Sequence, residues 1–149
     1  GSGTTMRVRS WAIGLSCVVL VLGVLSGEPV SAWQQPGVSK DDGQQVRNKQ
    51  LHKFHTAARS ERSLVGSRLV SEISRDAQKH ADWMARTGQF VHSGMQYWEV
   101  ILTGPKTPEK AIAGWLESPA HCKILMSGGE IGFGFAEADG MTYWVGLVR

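Results

Sequence analysis

The sequence predicts an α/β fold, with three amphipathic helices and three short strands in a single core-forming stretch of about a hundred residues. Three observations predict it. Ala111, Ile112, Trp115 and Leu116 recur at helical spacing, as do Ile73, Ala77, His80, Ala81, Met84 and Ala85. Glu130-Ile131-Gly132-Phe133-Gly134-Phe135-Ala136 instead alternates large apolar residues with glycine, the period-two pattern of a strand. Asp139-Gly140 then supplies a hairpin turn, and Met141 to Val148 returns from it as a partner strand.

The chain opens on a segment outside the fold. Arg7 and Arg9 precede an apolar run from Trp11 to Leu25, and Val30-Ser31-Ala32 places small residues where a signal peptidase cuts. Residues 1–32 are therefore expected to be a secretory signal peptide, residues 1–5 being an extension before Met6. The apolar run is short for a membrane span, so membrane attachment would require an uncleaved leader. Cleavage after Ala32 removes Cys17 and leaves Cys122 alone, so the exported domain forms no internal disulfide and must hold together by packing. Cys122 is expected to be a buried structural thiol. Sixteen basic residues face thirteen acidic ones, for a net charge of +3 with histidine neutral. The charges are interspersed, with no basic block and no aromatic-basic interleaving, which argues against nucleic acid as a partner.

Residues 33–46 are polar and turn-rich and read as a mobile linker, leaving 47–149 as the domain. A first helix is expected from about Gln45 to Ser60, with Val46, Leu51, Phe54, His55 and Ala58 on its apolar side. His55 and Arg59, one turn apart on one face, read as structural hydrogen-bonding partners. The second helix runs from about Ser71 to Thr87 and stops at Gly88, which can take the left-handed conformation that ends a helix. His80 on its apolar face reads as a satisfied core histidine. Tyr97 to Thr103 is rich in β-branched and aromatic residues and forms a strand. Thr107 caps a third helix, Pro108 fits its first turn and Glu109 complements its positive end. Pro119 closes that helix at Ser118, and a short further turn carries His121 beside Ile124, Leu125 and Met126. The glycine face of the strand at 130–136 leaves room for a helix or another stretch of backbone to lie close.

Several of these segments carry a common pattern. Gly114 to Met126, Gly-Trp-Leu-Glu-Ser-Pro-Ala-His-Cys-Lys-Ile-Leu-Met, resembles the "GWxxSPGHxxNIM" signature of bacterial CAP-superfamily domains. These are the SCP-like relatives of cysteine-rich secretory proteins, antigen 5 and plant pathogenesis-related protein 1. Phe54 to Arg59 is similar to that family's "LHNxxR" helix with Thr56 for the Asn, and Ala77 to Ala85 to its "A..HA..MA" helix. His92-Ser93 and Glu99 match "HS" and the Glu of "GENIA", although Trp98 replaces the Gly and Val100 the Asn. The last two strands resemble the closing "EIGVGxA … YWVQxF" hairpin. The resemblance covers nearly all of residues 50–149. It implies a three-layer α-β-α sandwich around a small, mainly antiparallel sheet.

It also implies a site. In the family, the residues matching His92, Glu99 and His121 line a cleft with a second Glu. Here Ser118 occupies that fourth position, and Glu117, turned about 200° from Trp115 along the helix, faces solvent. Two imidazoles and a carboxylate suit a divalent ion such as Zn²⁺ with one position open. The same three residues, His92, Glu99 and His121, could instead transfer protons, or form a buried hydrogen-bond network without turnover. A cysteine nucleophile is disfavoured, because His121 and Cys122 diverge by about 100° on a helix. The expected function is an exported domain that binds an extracellular ligand (a peptide, a lipid or a cell-envelope component) in a His/Glu cleft, with or without a metal. The alternative is a secreted hydrolase, a metal- or His/Glu-assisted peptidase. Lipid binding ranks third, since no dedicated apolar groove is legible.

Overall fold

The computed structural model describes residues 39–149; the expected signal peptide and the first part of the linker lie outside that range. Eight elements follow in the order α1 (Lys40–Ser60), β1 (Arg68–Leu69), α2 (Ser71–Thr87), β2 (Trp98–Thr103), α3 (Pro108–Glu117), α4 (Pro119–Met126), β3 (Glu130–Ala138) and β4 (Met141–Val148). The strands form one sheet in the order β1-β3-β4-β2, with β1 parallel to β3 and the other pairs antiparallel.

Alternation along the strands divides the core in two. Val100, Phe133, Trp144 and Val148 face α1, α3 and α4, packing with Leu51, Ala111, Ile112, Trp115 and Leu125. Ile101, Tyr143, Val145 and Leu147 face α2, packing with Ile73, Ala77, Ala81 and Met84. Helices therefore cover both faces, as a three-layer sandwich requires. The contact with α2 is unusually close. A Cβ on Gly134 would lie 2.3 Å from the backbone carbon of Ala77, and one on Gly132 would lie 2.2 Å from the amide nitrogen of Ser74. The glycine face of β3 is where α2 beds down, and Gln78 fastens it by taking the amide of Phe135 (3.0 Å) and giving to its carbonyl (2.7 Å).

Helix ends follow the sequence signals. Thr107 accepts from the amide of Lys110 at 3.3 Å, Pro108 starts α3, and Gly88 ends α2 at φ 69°. The Asp139-Gly140 turn has positive φ at both residues (50° and 75°), as a two-residue hairpin of this hand needs.

Four expectations need correction. Helix α1 starts at Lys40, so residues 40–46 belong to the domain and not to a linker. Ser39 and Asp42 form a reciprocal capping box that offsets the polar composition of this turn. Val46 is exposed; the inner face there is built by Arg47, stacked 4.0 Å over the Phe135 ring, and by buried Asn48. Cys122 is half-buried, not enclosed, because α4 is a short helix that commits only Leu125 fully to the core. A fourth strand, β1, joins the three expected ones; at two residues it is too short to show a period in the sequence.

Candidate functional site

The site lies where the loop after α2 enters the edge strand β2. Because Val100 faces the α3 side, its neighbour Glu99 faces α2, and its side chain is only 7% exposed. One carboxylate oxygen, Oε2, accepts two hydrogen bonds: from the backbone amide of Ser93 and from Nδ1 of His92, each 2.8 Å long. Since the carboxylate can only accept, the His92 proton sits on Nδ1 and leaves Nε2 as the basic nitrogen of the neutral ring. The other oxygen, Oε1, is buried and has no hydrogen-bond partner among the described residues. Nε2 of His80 lies 3.7 Å from it, beyond hydrogen-bond length.

His80 is buried in α2, its Nε2–H donates to the carbonyl of Val91 at 2.8 Å, and its ring stacks on Trp83. The reading of a satisfied core histidine therefore holds. Even so, His80 belongs to the site, because it pins the loop carrying His92 and stands beside Glu99. Nothing in the sequence marked it, because its closeness to Glu99 comes from how α2 packs on the sheet. A cleft of about 310 Å³ opens here, lined by Lys79, His80, Trp83, His92, Ser93 and Met95.

His121 stands on the first turn of α4, in the opposite layer. It is half-buried, and its pKa is lowered below the ordinary histidine value, first by burial and then by the nearby His92. The two imidazoles are thus electrostatic neighbours. No hydrogen bond or ion pair among the described residues ties His121 to His92 or Glu99. The structure joins His92 to Glu99 and leaves His121 beside them, unconnected.

The implied metal can be tested against this geometry. Among the described residues, no three His, Cys, Asp or Glu side chains converge closely enough to hold an ion. Glu99 Oε2 is already committed to two donors. The arrangement does not fit a three-ligand Zn²⁺ centre.

The scaffold behind His121 is explicit. His55 donates from Nε2 to the carbonyl of Leu125 at 2.8 Å and accepts at Nδ1 from Ser67 Oγ at 3.1 Å. Arg59 donates to the carbonyls of Val65, Leu125 and Ser127. Both residues are buried and tie α1 to the end of α4, the structural role expected of them. Glu117 is exposed, so it adds no carboxylate to the cleft.

The three-layer sandwich is a fold shared with solved structures that include an SCP-domain protein. It is similar to an outer surface protein from Borrelia burgdorferi at 17% identity, covering 66% of this chain and 88% of that one with a TM-score of 0.60. It is also similar to MpPR-1i at 18% identity, covering 73% and 87% with a TM-score of 0.51. An extracellular SCP-domain protein from Bacillus anthracis aligns at 16% identity over 74% of this chain and 44% of that one, with a TM-score of 0.52. No family model and no curated protein sequence matches the chain. Identities this low show a common fold and leave function to the residues of this chain. Among the described residues, no helix is long and apolar enough to cross a membrane.

Proposed function

We propose that this is an exported SCP-fold binding domain whose ligand enters the cleft between α2 and the loop at 89–97 and presents a hydrogen-bond donor to Glu99. One observation carries the reading: Glu99 is buried with Oε2 doubly satisfied and Oε1 unpartnered among the described residues. A buried, unsatisfied carboxylate oxygen costs stability, typically about 1–3 kcal/mol, and a donor brought by a ligand would offset that cost. The cleft is lined by His80, His92 and Ser93, the residues that surround Glu99, together with Trp83 and Met95, which give an apolar surface, and Lys79, which adds charge. A peptide segment, with amide donors and side-chain bulk, matches this lining better than a lipid chain, for which an extended apolar groove would be required. Outer-surface and extracellular proteins among the similar structures are consistent with export.

The His92–Glu99 pair supports a second reading. A carboxylate that fixes the tautomer of an imidazole, with the opposite nitrogen free, is the arrangement of an oriented general base. His92 would then activate a water against a peptide bond, releasing a carboxylate and an amine. Ser93 is a poor nucleophile here, because its Oγ already accepts from the amide of Met95 at 3.2 Å.

One comparison separates the readings. A peptide library is presented to the full chain and to Glu99→Gln, with capture and cleavage scored together. Capture without cleavage, lost in Glu99→Gln while the variant stays folded, supports the binding domain. Cleavage that follows Glu99 and His92 supports the peptidase. Zn²⁺-dependent thermal stabilisation abolished by both His92→Ala and His121→Ala would mean that these side chains rearrange into a centre the present geometry lacks. Capture unchanged in Glu99→Gln would remove Glu99 from the site altogether.

A further inference from the structure

A second groove, of about 520 Å³, runs between the first halves of α1 and α2, over the sheet edge formed by β1. The His/Glu cleft opens at β2, the opposite edge strand. The groove's most informative residue is Asn48. It is only 8% exposed, and its Oδ1 accepts from Gln44 Nε2 at 2.8 Å, but its Nδ2 has no acceptor among the described residues. Asn48 lines the groove, so this amide N–H opens onto it as a donor that no acceptor of the described residues takes up.

Donors and cations make up much of the surroundings. Ser71 begins α2, whose N-cap residue Val70 contributes no side-chain cap, so the positive end of a 17-residue helix borders the groove unneutralised by a cap. Arg75 lies one turn further on and Lys49 faces it from α1; both are exposed, and neither has an ion-pair or hydrogen-bond partner among the described residues. Against these donors stands Asp41 at the α1 end, with half-buried Leu69 as an apolar patch from β1. Asp41, and Glu72 in the first turn of α2, make the rim unsuited to a polyanion. A compound with one anionic group and several hydroxyls meets all of these features at once. Its anion takes Asn48 Nδ2, Arg75 and Lys49, its hydroxyls donate to Asp41, and its ring face rests on Leu69.

We propose that this groove is a second ligand site, selective for a saccharide carrying a single phosphate, free or at the end of an envelope polymer. The test is calorimetric titration of the full chain with glucose 1-phosphate, inorganic phosphate and glucose. Glucose 1-phosphate should bind tightest. Lys49→Ala and Arg75→Ala should each weaken it about fivefold to tenfold, and Asn48→Asp, which puts a carboxylate where the donor was, should abolish it. Lys123→Ala, an exposed cation on α4, should leave binding unchanged. Both Lys49 and Arg75 are exposed, so those variants keep the fold even if Asn48→Asp does not. Tighter binding to an isolated polymer bearing terminal sugar phosphates than to glucose 1-phosphate would identify the polymer as the source, and equal binding the free sugar. Glucose or inorganic phosphate binding as tightly as the sugar phosphate would overturn the proposal. So would binding undiminished in Lys49→Ala and Arg75→Ala, or no binding of glucose 1-phosphate up to about 10 mM.

Discussion

His55 makes the stability of this domain depend on pH in a calculable way. Its ring is 1% exposed, packs edge-on to Phe133, and holds the carbonyl of Leu125. Burial lowers its pKa to about 4, with the Leu125 hydrogen bond opposing the shift and Arg59 and His52 adding to it. The unfolded ring titrates near 6.5. Below that value the unfolded chain takes up a proton that the native state refuses, so stability is complete above about pH 6.5 and falls as the pH drops towards 4. The full difference corresponds to roughly 3 kcal/mol, and about 2 kcal/mol of it is lost by pH 5. Urea unfolding at pH 7.5 and pH 5 measures this directly when the native chain is compared with His55→Gln, whose amide can still donate to Leu125. Carboxylates contribute equally to both chains and cancel in the difference. The pH-dependent loss should be about 2 kcal/mol smaller in His55→Gln. An identical loss in the two proteins, or a His55 ring that titrates near 6.5 by NMR, would refute the reasoning.

Three further outcomes follow from the same structure. Gly134→Ala should destabilise the domain by about 3 kcal/mol or more, because the added carbon meets the backbone of α2, whereas Gly129→Ala, with nothing within 4 Å, should cost less than about 0.5 kcal/mol in the same urea assay. Thr107→Ala should cost about 1 kcal/mol by removing the cap of α3, and Thr107→Ser should recover most of it. Glu99→Gln should stay within about 1 kcal/mol of the native stability in urea unfolding, since the amide oxygen can still take the Ser93 N–H and the unsatisfied charge is removed.

Much of the fold was legible because its signals are local. Thr107, Pro108 and Pro119 bracket α3, Gly88 ends α2, and the Gly132/Gly134 alternation announced a helix pressed against β3. The first turn of α1 is hidden in the sequence because it rests on capping by Ser39 and Asp42, ahead of an apolar pattern that starts only at Val46. In the same way, Arg47 packs through its stem and its charge over Phe135, which no hydrophobic count registers. Of the candidate site, the His92–Glu99 contact was implied by the family-like motifs and is present. The convergence of His121 depended on how α4 docks across the edge of β2, and sequence carries no measure of that distance. His80 was correctly read as hydrogen-bonded, but its closeness to Glu99 arises from the packing of α2 on the sheet.

Glu99 organises the cleft, holding the Ser93 amide and the His92 ring with one oxygen and keeping the other without a partner among the described residues. NMR of the full chain and of Glu99→Gln tests it most directly, through the Ser93 amide and His92 Nδ1 resonances. Both should move in the variant while the methyl groups of Ile73, Leu125 and Val145 in the two core layers stay in place. Unmoved Ser93 and His92 signals, in a variant confirmed as folded, would mean that Glu99 holds neither group.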